Sequence, residues 1–169
     1  YFGFTQTMFW SIYITSQPFK DINYHPEVFY RLVDKESNNL KSLDVGMSHS
    51  SNGKDGEASR SINRLYLKMN NAAKINRHSF ISELRIYDVI THEETNKDLK
   101  KYLGYWDFSF KFTHLIVHQT ERLDLEFNVY AGDRVVNFNK GARSIGAIYD
   151  FGSDHFNPSL YLQYFSGYV

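Results

Sequence analysis

The chain has 169 residues, 42% of them hydrophobic and 17% aromatic, with 19 Lys plus Arg set against 19 Asp plus Glu and no cysteine. That length supports one domain with a core or a membrane-facing belt, and the even charge offers no basic stripe for nucleic acid. The missing thiol removes disulfides, thiolate metal sites and cysteine nucleophiles, and no apolar run approaches the roughly 18 to 20 residues of a spanning helix.

Three prolines, 13 Tyr and 14 Phe bias the chain toward pleated structure. Nine strands and no long helix are predicted, at 1–14, 26–33, 40–51, 59–70, 78–91, 101–117, 121–131, 141–150 and 158–169. Several exceed the five or six residues usual in soluble sheets and approach the roughly 9 to 11 of a tilted membrane strand.

Alternation marks the faces. In "SLDVGMSHSS", Val45, Met47, His49 and Ser51 share one parity. In "RSINRLYLKM", Ser61, Asn63, Leu65, Leu67 and Met69 oppose Arg60, Arg64 and Lys68. Further on, Phe80, Leu84 and Ile86 oppose Glu83 and Arg85, and Trp106, Phe108, Phe110 and Phe112 oppose Asp107, Ser109 and Lys111. In "LDLEFNVY", Leu123, Leu125, Phe127 and Val129 oppose Asp124, Glu126 and Asn128. One face is apolar and the other charged.

A soluble antiparallel sandwich would alternate too. Charges in mid-strand, and aromatics such as Tyr102, Tyr105, Trp106, Tyr164 and Tyr168 near strand ends, favour a barrel in lipid with aromatic girdles. Connections 15–26, 51–60, 91–100 and 132–140 are long and polar and are assigned to the outside. The mostly shorter ones at 34–39, 71–77, 118–121 and 151–157 are assigned to the periplasm. Arg60 and Arg64 are expected to form charge pairs inside the barrel with residues such as Glu83, and the remaining histidines to be interfacial or in loops.

His49, Ser51 and Asn63 therefore interrupt an apolar surface beside one loop. Same-face neighbours on adjacent antiparallel strands have Cβ atoms about 4.5–5.5 Å apart, which suits a Ser-His-Asn relay. A serine hydroxyl is too weak an acid to attack an ester unaided; His49 would take its proton and Asn63 would fix the imidazole tautomer. An amide cannot offset imidazolium by charge. Help for an oxyanion would come from the backbone N–H of Gly53, which has no side chain in the way, or from a bound cation. Serine, asparagine and glycine also crowd ordinary turns, and "NG" at 52–53 is a common turn pair.

The string "HSSNGKDGEASRSINRLY" resembles the signature of the outer membrane phospholipase A family, calcium-dependent esterases on a twelve-stranded barrel. The matching positions are His49, Ser51, Asn52, Gly53, Ser59, Arg60, Ser61, Asn63, Arg64 and Tyr66. "FTQTMFW" and "PFKDINYHPEVF" are similar to that family's strand and outer loop, and "KYLGYW" and "LYLQYFSGY" to later strands.

The resemblance implies an all-β antiparallel transmembrane β-barrel in the outer membrane of a Gram-negative bacterium. Residues 1–169 would be one barrel domain, incomplete at both ends, with about nine of twelve strands and an open sheet with unpaired edges. It implies Ser51 as nucleophile, His49 as base and then acid, and Asn63 as the orienting residue. Gly53 would donate to the oxyanion with the Ser51 amide as second donor. It also implies Ca2+ held by the Lys54 carbonyl and Ser59 hydroxyl of one subunit and Ser16 of the other, in a homodimer formed on activation, acting on acyl esters of glycerophospholipids. Position 54 is Lys where the family has Arg, and Gly56 stands where an aspartate marks a second calcium site, with Asp55 or Glu57 as possible substitutes. The rival expectations are a non-catalytic porin-like barrel and a soluble all-β binding module.

Overall fold

The computed structural model describes the chain except residues 12, 14, 16–18, 20, 34–39, 91–98, 119, 120, 134–136, 138, 153–157, 168 and 169. All nine predicted strands are present: β1 (Phe2–Phe9), β2 (Asp21–Val33), β3 (Leu40–Ser51), β4 (Ser61–Ile75), β5 (His78–Val89), β6 (Trp106–His118), β7 (Glu121–Tyr130), β8 (Ala142–Asp150) and β9 (Ser159–Gly167). Each pairs antiparallel with its sequence neighbours in one sheet of order β1 to β9. Among the described residues β1 and β9 do not pair with each other, so the sheet is open at both edges. This up-and-down order puts the β1–β2, β3–β4, β5–β6 and β7–β8 connections on one rim and the other four on the opposite rim.

Four boundaries differ from the sequence expectation by more than two residues. β1 ends at Phe9 rather than 14, with turns at Tyr13 and Thr15. β2 starts five residues early, at Asp21, and carries Pro26 in its interior. β4 runs on to Ile75. Residues 101–105 are not strand: a five-residue helix α1 (Leu99–Leu103) precedes β6, and the Tyr87 hydroxyl donates to the Leu103 carbonyl at 2.9 Å.

The faces are those of a sheet in an apolar solvent. Val28 is 59% exposed, Met47 53% and Leu65 50%, whereas Asp44 is 0% exposed and Asp124 1%. A soluble sandwich needs the reverse, because exposed apolar area of this extent is what water-soluble monomers avoid. The polar face is stitched by ion pairs between strands. Arg31 meets Asp44 with two bonds of 2.7 and 2.8 Å, and Lys68 lies 3.7 Å from both Asp44 and Glu83. Arg85 pairs with Asp107 at 2.9 Å, and Lys111 and Arg122 each reach Asp124 at 3.3 Å. Charges buried this deeply are tolerable only when paired.

Lys68, rather than Arg60 or Arg64, is the partner of Glu83. Arg60 belongs to the loop after β3, and Arg64 lies with its guanidinium over the Tyr87 ring, 5.1 Å from the centroid. Strand parity put Arg64 on the correct face, but the register sets Arg64 opposite Val89 and Lys68 opposite Arg85, two residues from Glu83 on the same face.

Two local features break ideal pleating. Gly46 faces the polar side, where a Cβ would come within 2.9 Å of the Tyr66 ring and 2.6 Å of the Val28 carbonyl, so only glycine lets that ring lie across the strand. Between Phe112 and Ile116 the register with β7 shifts; His114 sits at φ 61° there, and its N–H donates to Asp124 at 3.0 Å. The carboxylate takes a donor that the bulge withdraws from the ladder.

Candidate active site

β3 and β4 pair through Met47↔Leu65, His49↔Asn63 and Ser51↔Ser61, so the parity that exposes Met47 and Leu65 puts His49, Asn63 and Ser51 on the apolar face too. They occupy the end of that face next to the loop joining the two strands. His49 Nδ1 and Asn63 Oδ1 are 2.7 Å apart. A carboxamide oxygen only accepts, so the neutral imidazole must carry its proton on Nδ1, which leaves Nε2 with a lone pair. The asparagine thereby selects the tautomer in which the far nitrogen is a base.

Ser51 lies two residues from His49 on the same face, between Tyr24 of β2 and Ser61 of β4. Among the described residues, His49 hydrogen-bonds Asn63, and no hydrogen bond joins it to the Ser51 hydroxyl, although the two share a face. Apo sites are commonly looser than their reacting complexes.

Beyond Ser51 the chain turns through Gly53 at φ 63°, a conformation costly for any other residue, and a Cβ there would stand 2.9 Å from the Tyr24 ring. Asn52 holds this loop shut from both ends. Its N–H donates to the Arg60 carbonyl at 3.0 Å, its side-chain amide to Ala58 O at 2.9 Å, and its Oδ1 accepts from the Arg60 N–H at 2.9 Å. Arg60 adds bonds from its guanidinium to the Glu57 and Ser59 carbonyls at 2.9 and 2.8 Å. Sequence reasoning reads Asn52 only as half of an Asn-Gly turn pair and sends Arg60 to a charge pair inside the barrel, so neither is expected to tie this loop together. The only signal was an asparagine opening and an arginine closing a polar nine-residue segment.

The residues expected to hold a hard cation are partly here. Lys54 and Ser59 lie within this loop, and Ser16 lies outside the described residues. The Lys54 ammonium pairs with Asp21 at 3.0 Å. Asp55 accepts from the Gly56 N–H at 2.7 Å, capping a one-turn 3-10 helix, Gly56–Ala58. Among the described residues no group of three carboxylates or imidazoles could hold a metal. The donors expected at Lys54 and Ser59, a carbonyl and a hydroxyl, are oxygen ligands that suit calcium in kind but are few for one chain alone.

Below His49 the apolar face carries a shallow groove of about 380 Å³ along Val28, Tyr30, Val45, Met47 and Leu65. His49, Asn63 and Ser51 thus sit at the head of an exposed apolar strip.

Sheet order, inverted burial and this outward-facing cluster define an antiparallel barrel wall of the outer-membrane type. Within that class, the chain belongs to the phospholipase A1 family, whose model matches residues 1–169. It is 26% identical over 182 residues to phospholipase A1 of Escherichia coli strain K12, covering 98% of this chain and 54% of that protein. It superimposes on outer membrane phospholipase A from Escherichia coli with a TM-score of 0.73 at 25% identity, covering 99% of this chain and 61% of that one. A calcium-bound dimer of the Salmonella typhi outer membrane phospholipase gives 0.59 at 22% identity, covering 97% and 68%. The chain spans about half the length of the curated relative it matches.

Proposed function

We propose that residues 1–169 belong to one barrel domain of a calcium-dependent outer-membrane phospholipase that hydrolyses acyl esters of glycerophospholipids. The observation that carries this is the 2.7 Å bond from His49 Nδ1 to Asn63 on the lipid-facing side, with Ser51 on the same face. Placing polar groups against lipid is costly and is sensible only if the lipid is the substrate. The groove of Val28, Val45, Met47 and Leu65 gives an acyl chain somewhere to lie.

In this mechanism His49 Nε2 removes the Ser51 proton as Oγ attacks the ester carbonyl, and Nδ1–H stays on Asn63 Oδ1 throughout. The Gly53 and Ser51 amides donate to the oxyanion. His49 then returns the proton to the departing lysolipid oxygen, and water deprotonated by the same nitrogen releases the fatty acid. Calcium, held by Lys54 O, Ser59 Oγ and a partner's Ser16, would supply positive charge near the developing oxyanion. Because one chain offers few ligands, two copies are needed to bind it well. The dimer with calcium seen in the Salmonella typhi relative supports that arrangement.

A non-catalytic porin-like barrel would leave the His49–Asn63 pair without a purpose. The test is fatty-acid release from phospholipid in mixed micelles by the full-length protein, with calcium and with a chelator. Release that stops on chelation is expected; no release under either condition would refute the proposal.

A further inference from the structure

Behind the candidate site, on the polar face, the β2–β3 ladder has a gap. Tyr1 and Phe29 exchange both backbone bonds, at 2.8 and 3.1 Å, so odd-numbered residues of β2 bond to β1 and even-numbered ones turn to β3. Pro26 is even-numbered. Toward β1 it pairs with Phe4 without interruption, but toward β3 the pairing skips from Tyr24↔Ser51 to Glu27↔Ser48. The skipped positions on β3 are His49 and Ser50. Proline has no N–H to offer the His49 carbonyl, so the ladder is weakest at the residue that must be held most firmly.

One side-chain bond spans that gap. His25 Nδ1 and Ser50 Oγ are 2.9 Å apart, linking β2 to β3 at the residue between His49 and Ser51. It borders a half-open cavity of about 420 Å³ at the loop end of these strands, lined by Thr7, Asn23, Ile62 and Arg64 and reaching Ser51 at its edge, so dense packing does not hold this stretch from behind. We propose that His25 is a positioning residue: by gripping Ser50 from inside, it replaces the backbone bond lost at Pro26 and fixes the segment that presents His49 and Ser51 on the other face. This rests on the phospholipase assignment above for its kinetic consequence but not for its structural one.

The experiment uses the full-length protein in micelles, with His25→Phe, Ser50→Ala, the double variant, and His25→Asn, whose amide reaches the place of Nδ1. Each of the first two should lower kcat about tenfold with KM held within about twofold, as expected for misplacement of reacting groups. The double variant should be no worse than either single, because both remove one bond, and His25→Asn should recover to within about threefold of wild type. Amide hydrogen exchange over 48–51 should quicken in His25→Phe and be restored in His25→Asn. Unchanged kcat in both single variants, or losses that multiply in the double, would overturn the proposal. If the wild type releases no fatty acid, the phospholipase assignment fails on its own, and exchange alone decides: no quickening in His25→Phe overturns the positioning role.

Discussion

Asn63 constrains His49 without charge. Its oxygen selects the Nδ1–H tautomer through one bond of 2.7 Å, yet it gives little electrostatic support to an imidazolium. Asn63→Ala should therefore cost rate, roughly 10- to 100-fold in kcat, and leave KM nearly unchanged; a drop in kcat under twofold would show that the bond does not orient the base. Gly53→Ala should be more damaging than its size suggests. The added methyl meets the Tyr24 ring at 2.9 Å in a backbone conformation that alanine resists. The expected result is loss of activity with the sheet intact by circular dichroism, and wild-type activity would contradict it. The pairing of His49 with Asn63 was legible from parity and spacing. The web around Asn52 was not, because side-chain bonds to loop carbonyls depend on local backbone angles that composition does not fix.

At the scale of single elements, the strands with strict alternation were read to within a residue or two: β3 at Leu40–Ser51, β7 at Glu121–Tyr130 and β8 at Ala142–Asp150. The misplaced ends have physical causes. The sequence expectation starts β2 at Pro26; proline is disfavoured inside a strand, yet this strand accepts it by giving up one ladder bond toward β3. The tail of β4, "NNAAKI", has no apolar parity, so nothing in it signals a strand; pairing with β5 as far as Ile75↔His78 carries it on. Before β6, "KYLGYW" is rich in aromatics and reads as strand, but α1 and the turn at Gly104 interrupt it. Asp44 makes a prediction at this scale. With Arg31, Lys68 and Asn70 all directed at a carboxylate that is fully buried, Asp44→Ala should destabilise the fold by about 3–5 kcal/mol in urea titrations in micelles. A change below about 1 kcal/mol would mean that water reaches the cluster.

At the scale of the molecule, the sequence pattern carried the all-β class, the strand count and the direction of each face. The inverted burial predicts that the two faces respond oppositely to charge. Ile145→Arg, on the apolar face at 55% exposure, should cost about 2–4 kcal/mol if it lies near the bilayer midplane, although the same change on an exposed soluble surface would be nearly neutral. The proposed mechanism requires Ser51 Oγ to be the atom that takes the acyl group from the lipid side of the wall. Mass spectrometry of the full-length protein, quenched during turnover of a phospholipid, tests this most directly. An acyl adduct on the peptide containing Ser51, absent in Ser51→Ala together with all hydrolysis, is the predicted result. Hydrolysis that survives in Ser51→Ala, or an adduct on any other residue, would contradict it.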